Sequence, residues 1–203
     1  MKIQLIDSNQ EICKAWTSQF KGCKDVTIFH GDIFEKPTDS IVSPANSFGF
    51  MDGGLDYLIS EIVGFDAQKI LQKRIKEEYN GELLVGQAVL VETGFSAIPF
   101  LISAPTMRVP MLLPKDSSVN AYLASKAIFT LLKQNHHRIN SVTFSGLATG
   151  IGQIPYDICA KQMKQAYDEI WLEKFVFPKT WYEAQVRHTT LLCLDEHRDL
   201  QKG

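Results

Sequence analysis

Along almost the whole chain, short runs rich in β-branched and aromatic residues alternate with longer stretches whose apolar residues recur at helical spacing. Residues 2–6 and 26–30 are predicted strands, with a short amphipathic helix over 11–20 between them. A third strand, 40–42, runs into a glycine-rich turn at 49–54. A helix follows, its apolar face drawn by Leu55, Leu58, Ile59 and Ile62. The next helix, 67–79, takes its core face from Ile70, Leu71, Ile75 and Tyr79. Short strands at 88–92 and 100–103 are bounded by Gly86, Gly94, Pro99 and Pro105. A long helix spans 120–133, the last strand 142–145, and a final helix 156–171.

This order predicts a three-layer α/β/α sandwich around a mixed sheet. Residues 1–171 form the domain, and 172–203 are an extension packed on it. The extension carries Pro178, Trp181, Tyr182 and an apolar run at 191–194, which suits either a final strand with a polar tail or a cap over a cleft. In open α/β sheets ligands sit beyond the carboxyl ends of the strands, where loops lead into helices. Both glycine-containing loops of this chain follow strands and precede helices.

Composition narrows the function classes. A formal charge of −2 gives no broad attraction for nucleic acid or an anionic membrane. No window approaches the length of apolar sequence that spans a bilayer. The four cysteines (Cys13, Cys23, Cys159 and Cys193) form no C-x-x-C pair, and the first residues lack the apolar core of a secretory signal. These features read as a cytoplasmic protein with reduced thiols. They call for no metal and no cofactor.

Two loops carry the chemistry. In the first, a strand ends, Asn46 follows, and Gly49, Gly53 and Gly54 lead into a helix that carries Leu55 and Asp56. Backbone N–H groups of such a loop can converge on an anion, with the helix N-terminus adding its positive end. The competing reading is a tight turn with an aspartate capping the helix. The second loop runs from Ser145 through Thr149, Gly150, Ile151 and Gly152 to Pro155, which suits a first helical turn. Neither loop matches the P-loop or the dinucleotide-binding fingerprint.

Gly31-Asp32-Ile33, then Ile41-Val42-Ser43-Pro44-Ala45-Asn46, then Gly53-Gly54-Leu55-Asp56, then Thr149-Gly150-Ile151 together resemble the ordered motifs of macrodomains. The likeness extends over about residues 26–171. It is to bacterial and phage-associated members, in which stretches like 104–110 also occur. The resemblance implies ADP-ribose or an ADP-ribosyl derivative as the ligand. It puts Asp32 on the adenine exocyclic amine with the Ile33 backbone beside it, and Asn46 on the terminal ribose. The diphosphate falls between Gly53–Leu55 and Thr149–Gly152. Asp56, ten positions after Asn46, matches the carboxylate used by family members that are hydrolases, where it would act on water beside Asn46.

The chain departs from the family pattern in two places. The first loop has fewer glycines, and the second has Gly152-Gln153 where many relatives carry an aromatic followed by glycine. That aromatic flanks the terminal ribose, and Phe48 and Phe50 are the substitutes at hand, core packing being their other reading. His136-His137 reads as a solvated helix end and Arg108 as a surface cation or a phosphate contact. Cys193 with His197 is an incomplete metal pair, and Ser145 lacks the G-x-S-x-G elbow of a nucleophile. Three functions follow: hydrolysis of an ADP-ribosyl linkage, binding of ADP-ribose without chemistry, and a structural protein on the same fold.

Overall fold

The computed structural model describes residues 1–194, in which six strands form one sheet with helices on both faces. The strands are β1 (Lys2–Asp7), β2 (Val26–His30), β3 (Ser40–Ser43), β4 (Val89–Glu92), β5 (Phe100–Ser103) and β6 (Ser141–Phe144). Their order across the sheet is β2-β1-β6-β3-β5-β4. Every neighbouring pair is parallel except β4 with β5, so the sheet is mixed as expected. Ile3 sits level with Val26 on one side and Val142 on the other.

Alternation along the strands divides the core in two. Ile3, Leu5, Val42, Ile102, Val142 and Phe144 face α1 (Gln10–Gln19), α4 (Asn120–Gln134) and α5 (Tyr156–Ala166). Ile6, Ile41, Val89, Val91 and Leu101 face α2 (Gly54–Val63) and α3 (Asp66–Glu78). β3 and β6 are neighbours, yet β3 leads to α2 on one face and β6 to α5 on the other. A crevice therefore opens between their carboxyl ends, as at the switch point of other open sheets.

Three expectations need correction. The buried face of α2 is Asp56, Ile59, Ser60 and Val63, while Leu58 and Ile62 are exposed. Two polar residues can turn inward here because each finds a partner: Ser43 Oγ donates to Asp56, and Ser60 Oγ donates to the Met51 carbonyl. On α3 the core residues are Ala67, Leu71 and Ile75, with Ile70 exposed. The extension, finally, forms a helix, α6 (Trp181–Leu191), rather than a strand. Thr180 Oγ1 accepts from Glu183 N at 3.1 Å, and Glu183 Oε2 accepts from Lys179 N at 2.6 Å, a start signal present in Thr180-x-x-Glu183.

α6 packs on the α4/α5 layer. Gln162 Nε2 donates to the Leu191 carbonyl, and Arg187 pairs with Glu169, whose carboxylate also accepts from Tyr122 Oη and Gln165 Nε2. Glu169 lies on the π-helical turn Tyr167–Trp171, which ends the helix expected to run unbroken from 156 to 171. None of residues 172–194 lines the crevice, so among the described residues the extension is not its cap. No helix of the described residues is long and apolar enough to cross a membrane.

Candidate functional site

The crevice is a cleft of about 660 Å³, within the range of small-molecule sites. Three helix N-termini meet it. Asn9 caps α1 by accepting from Glu11 N at 2.9 Å, Gly53 and Gly54 begin α2, and Tyr156 begins α5. Their unpaired N–H groups and dipoles bring positive potential to one region without a side-chain cation. Among the described residues, the cleft lining includes Asp7, Asp32, Asp52 and Asp56 but no Lys, Arg or His.

The structure brings most of the sequence-predicted site residues together. Asp32, Ile33, Asn46, Gly53, Gly54, Leu55, Asp56, Thr149, Gly150 and Ile151 all line the cleft. Gly152 does not. It is buried beneath the second loop, where its carbonyl accepts from Leu113 N at 3.0 Å. A Cβ at 152 would stand 2.6 Å from the Ala148 carbonyl, so this glycine lets the loop fold back on itself.

Asp32 is exposed at the mouth, its carboxylate accepting from Phe34 N at 2.9 Å in an Asx turn. Asn46 organises the first loop: Oδ1 accepts from Phe48 N and Phe50 N, and Nδ2 donates to the Phe50 carbonyl at 2.8 Å. The loop is tied to α3 as well, since Gln68 Oε1 accepts from Met51 N at 2.6 Å. Gly49, at φ +68°, packs so closely on α3 that a Cβ would lie 2.8 Å from Ile75 Cδ1. Phe50 lines the cleft and is half exposed, whereas Phe48 faces away under Arg108.

Asp56 is the one buried carboxylate of the first loop and its helix, 9% exposed and still part of the cleft wall. It sits in the first turn of α2 and accepts from Ser43 Oγ at 2.5 Å. Burial pushes its pKa up to about 6; the Ser43 hydrogen bond opposes the rise, and the negative charge of Asp52 adds to it. A carboxyl group with that pKa changes protonation close to neutrality.

The second loop is built around Asp7 at the end of β1. Its Oδ2 accepts from Gly146 N at 3.0 Å and its Oδ1 from Asn9 N at 2.9 Å. Asn9 Nδ2 in turn donates to Tyr156 Oη at 2.8 Å. Asp7, Ser8, Asn9, Thr106, Pro110 and Tyr156 line the cleft and were not singled out by the sequence. The signal available for Asn9 was its place as an N-cap directly after a strand. Arg108 is held at the surface by Glu82, at 2.7 and 3.3 Å, and does not line the cleft. His136 and His137 are exposed beyond the end of α4. His197 lies outside the described residues, and Cys193 is exposed.

Known proteins share this fold. The Macro domain family matches residues 42–163, which contain both loops, α2 to α4 and most of α5. An uncharacterized protein of Aquifex aeolicus is 31% identical over 139 residues, spanning 68% of this chain and 78% of its own length. A Macro domain-containing protein of Listeria monocytogenes is 26% identical over 172 residues, spanning 85% of this chain and 91% of its own. A macrodomain of Oceanobacillus iheyensis solved with ADPR is 20% identical and shares the fold. It superposes with a TM-score of 0.60 over 80% of this chain and 87% of its own. On the extent of that match, the chain belongs to the Macro domain family.

Proposed function

We propose that the cleft binds ADP-ribose and that the protein hydrolyses an ADP-ribosyl linkage at the terminal ribose. The adenine lies at the β1/β2 end, where Asp32 accepts from the exocyclic amine beside the Ile33 backbone. The diphosphate lies between Gly53–Leu55 and Thr149–Ile151, taken by backbone N–H groups and by the N-termini of α2 and α5. The terminal ribose faces Asn46, whose Nδ2 keeps a second N–H for a ribose hydroxyl. Phe50 supplies the apolar wall that the second loop lacks.

One observation carries the catalytic reading: Asp56 is a buried carboxylate on the wall of the cleft, with a pKa of about 6. At neutral pH it is ionised and can take a proton from a water attacking the anomeric carbon. The bond from that carbon to the water oxygen forms, and the bond to the leaving oxygen breaks with its electron pair. From an acyl ester the leaving group departs as a carboxylate, and the proton on Asp56 returns to solvent. A carboxylate whose only task was to complement the helix dipole would do so equally well from solvent, without the cost of burial.

Calorimetric titration with ADP-ribose, beside ATP and NAD, tests the binding. Turnover of an ADP-ribosyl ester by the native protein and by Asp56→Ala tests the chemistry. The expected result is binding in both proteins and a 10²–10⁴-fold loss of turnover in the variant. Binding with no turnover by the native protein would leave a non-catalytic binder of ADP-ribose. No binding would reject the whole reading.

A further inference from the structure

The face of α2 turned away from the core is apolar where a surface helix is normally polar. Tyr57, Leu58 and Ile62 are 40–48% exposed, and Phe65 just beyond the helix is 57% exposed. Leu58 and Ile62 are one turn apart, and the rings of Tyr57 and Phe65 lie 6.1 Å apart, so the four make one stripe. The stripe is continuous with the cleft. Leu58 lines it together with Phe50 and Asp52, on the same loop and helix that carry Asn46 and Asp56. With the terminal ribose at Asn46 and Asp56 as proposed above, this rim is a way out of the cleft for whatever is attached to it.

The charge along the rim is acidic. Asp52 is exposed at its inner end, and Glu61, bonded to the Tyr57 hydroxyl, lies in its middle. Lys69, in the first turn of α3, is paired with Asp66 at 2.7 Å. A phosphate backbone would meet the carboxylates of Asp52 and Glu61 here. An apolar polypeptide with a basic residue would cover the stripe and complement Asp52 and Glu61.

We propose that the stripe Leu58–Ile62–Phe65 is a docking surface for the polypeptide that carries the ADP-ribosyl group, and that it selects apolar, basic sequence next to the modified residue. The proposal rests on the placement of the terminal ribose at Asn46 and Asp56 given above. Recognition is thereby shared between two surfaces, the cleft for the nucleotide and α2 for the chain attached to it.

The test compares free ADP-ribose with two conjugates made through a hydrolysis-resistant linkage, one to a Leu- and Lys-containing peptide and one to a short oligonucleotide. Calorimetry with the native protein should show the peptide conjugate binding about tenfold more tightly than ADP-ribose, and the oligonucleotide conjugate no more tightly. In the double variant Ile62→Ser, Phe65→Ser, both changes being outside the cleft, ADP-ribose affinity should stay constant and the peptide gain should vanish. An equal gain in the variant, or a tighter oligonucleotide conjugate, overturns the proposal. Self-association of the native protein that the same variant abolishes also overturns it, because the stripe then belongs to a second copy. ADP-ribose binding with no peptide gain sinks this inference alone, whereas absence of ADP-ribose binding sinks the proposed function beneath it.

Discussion

The Ser43 hydroxyl, at the last residue of β3, donates a 2.5 Å hydrogen bond to Asp56 in the first turn of α2. The bond spans the whole first loop and fixes where its carboxylate stands. It favours the ionised form, yet burial outweighs it and leaves the pKa near 6.

The sign of that shift yields a prediction about stability. The carboxyl group holds its proton more tightly in the folded chain than at its ordinary value of 3.8. Its contribution is therefore fully present below about pH 3.8 and is lost as pH rises through about 6. Asp56→Asn keeps an acceptor for Ser43 and removes the buried charge. It should be more stable than the native protein by about 2–3 kcal/mol at pH 7, with the difference vanishing near pH 4. Urea unfolding at the two pH values measures it; a variant less stable at pH 7 would mean that the charge is structural.

The same group sets a pH profile for turnover. Proton abstraction needs the ionised form, so kcat/KM for an ADP-ribosyl ester should rise with pH to a plateau, with a midpoint near 6. In Ser43→Ala the hydrogen bond that lowers the pKa is gone, and the midpoint should move upward. An unmoved midpoint would separate Asp56 from the proton step.

At the other end of the cleft, Asp32→Asn retains the oxygen that accepts from Phe34 N while losing the negative charge. ADP-ribose affinity should fall by about 1–3 kcal/mol, with the thermal unfolding temperature unchanged. Titration calorimetry reads both parts when set beside a melting curve. Full affinity in Asp32→Asn and Asp32→Ala alike would move the adenine elsewhere.

Two glycines of the second loop should behave differently on substitution by alanine. At Gly150 an added Cβ meets nothing within 4 Å, so the fold should be unaffected and any lost affinity reports on ligand contact. At Gly152 the Cβ would meet the Ala148 carbonyl at 2.6 Å, and the loop has to shift. Gly152→Ala should cost about 1–3 kcal/mol of stability and weaken ADP-ribose binding indirectly. Equal melting temperatures for the two variants would contradict this assignment.

Much of this architecture can be read in the chain itself, because each strand is a short β-rich run and the loops after β2, β3 and β6 carry glycine at the strand's carboxyl end. The motifs at 31–33, 46, 53–56 and 149–151 fall on the cleft wall for the same reason. What escaped was information that only the third dimension supplies. Asp7 and Asn9 join the site because β1 lies beside β6, a pairing 139 residues apart that no local pattern encodes. The face of α2 differs from its apolar period, which Leu58 and Ile62 match, because inward Asp56 and Ser60 depend on partners outside the helix. In the extension, the apolar run at 191–194 suggested a strand and masked the cap at Thr180.

The absence of Lys, Arg and His among the described residues lining the cleft has a consequence for ionic conditions. A site that holds phosphate with lysine or arginine weakens as salt screens the pair and loses function when those amines are acylated. In the binding mode proposed above, the attraction comes from peptide N–H groups and from the first turns of α1, α2 and α5, which act only within the first turn and at contact distance. ADP-ribose affinity should accordingly change by less than about threefold between 50 and 300 mM salt, where screening still grows for exposed charges. It should also survive exhaustive lysine acetylation, the behaviour expected where strength is set by backbone shape rather than by countercharge.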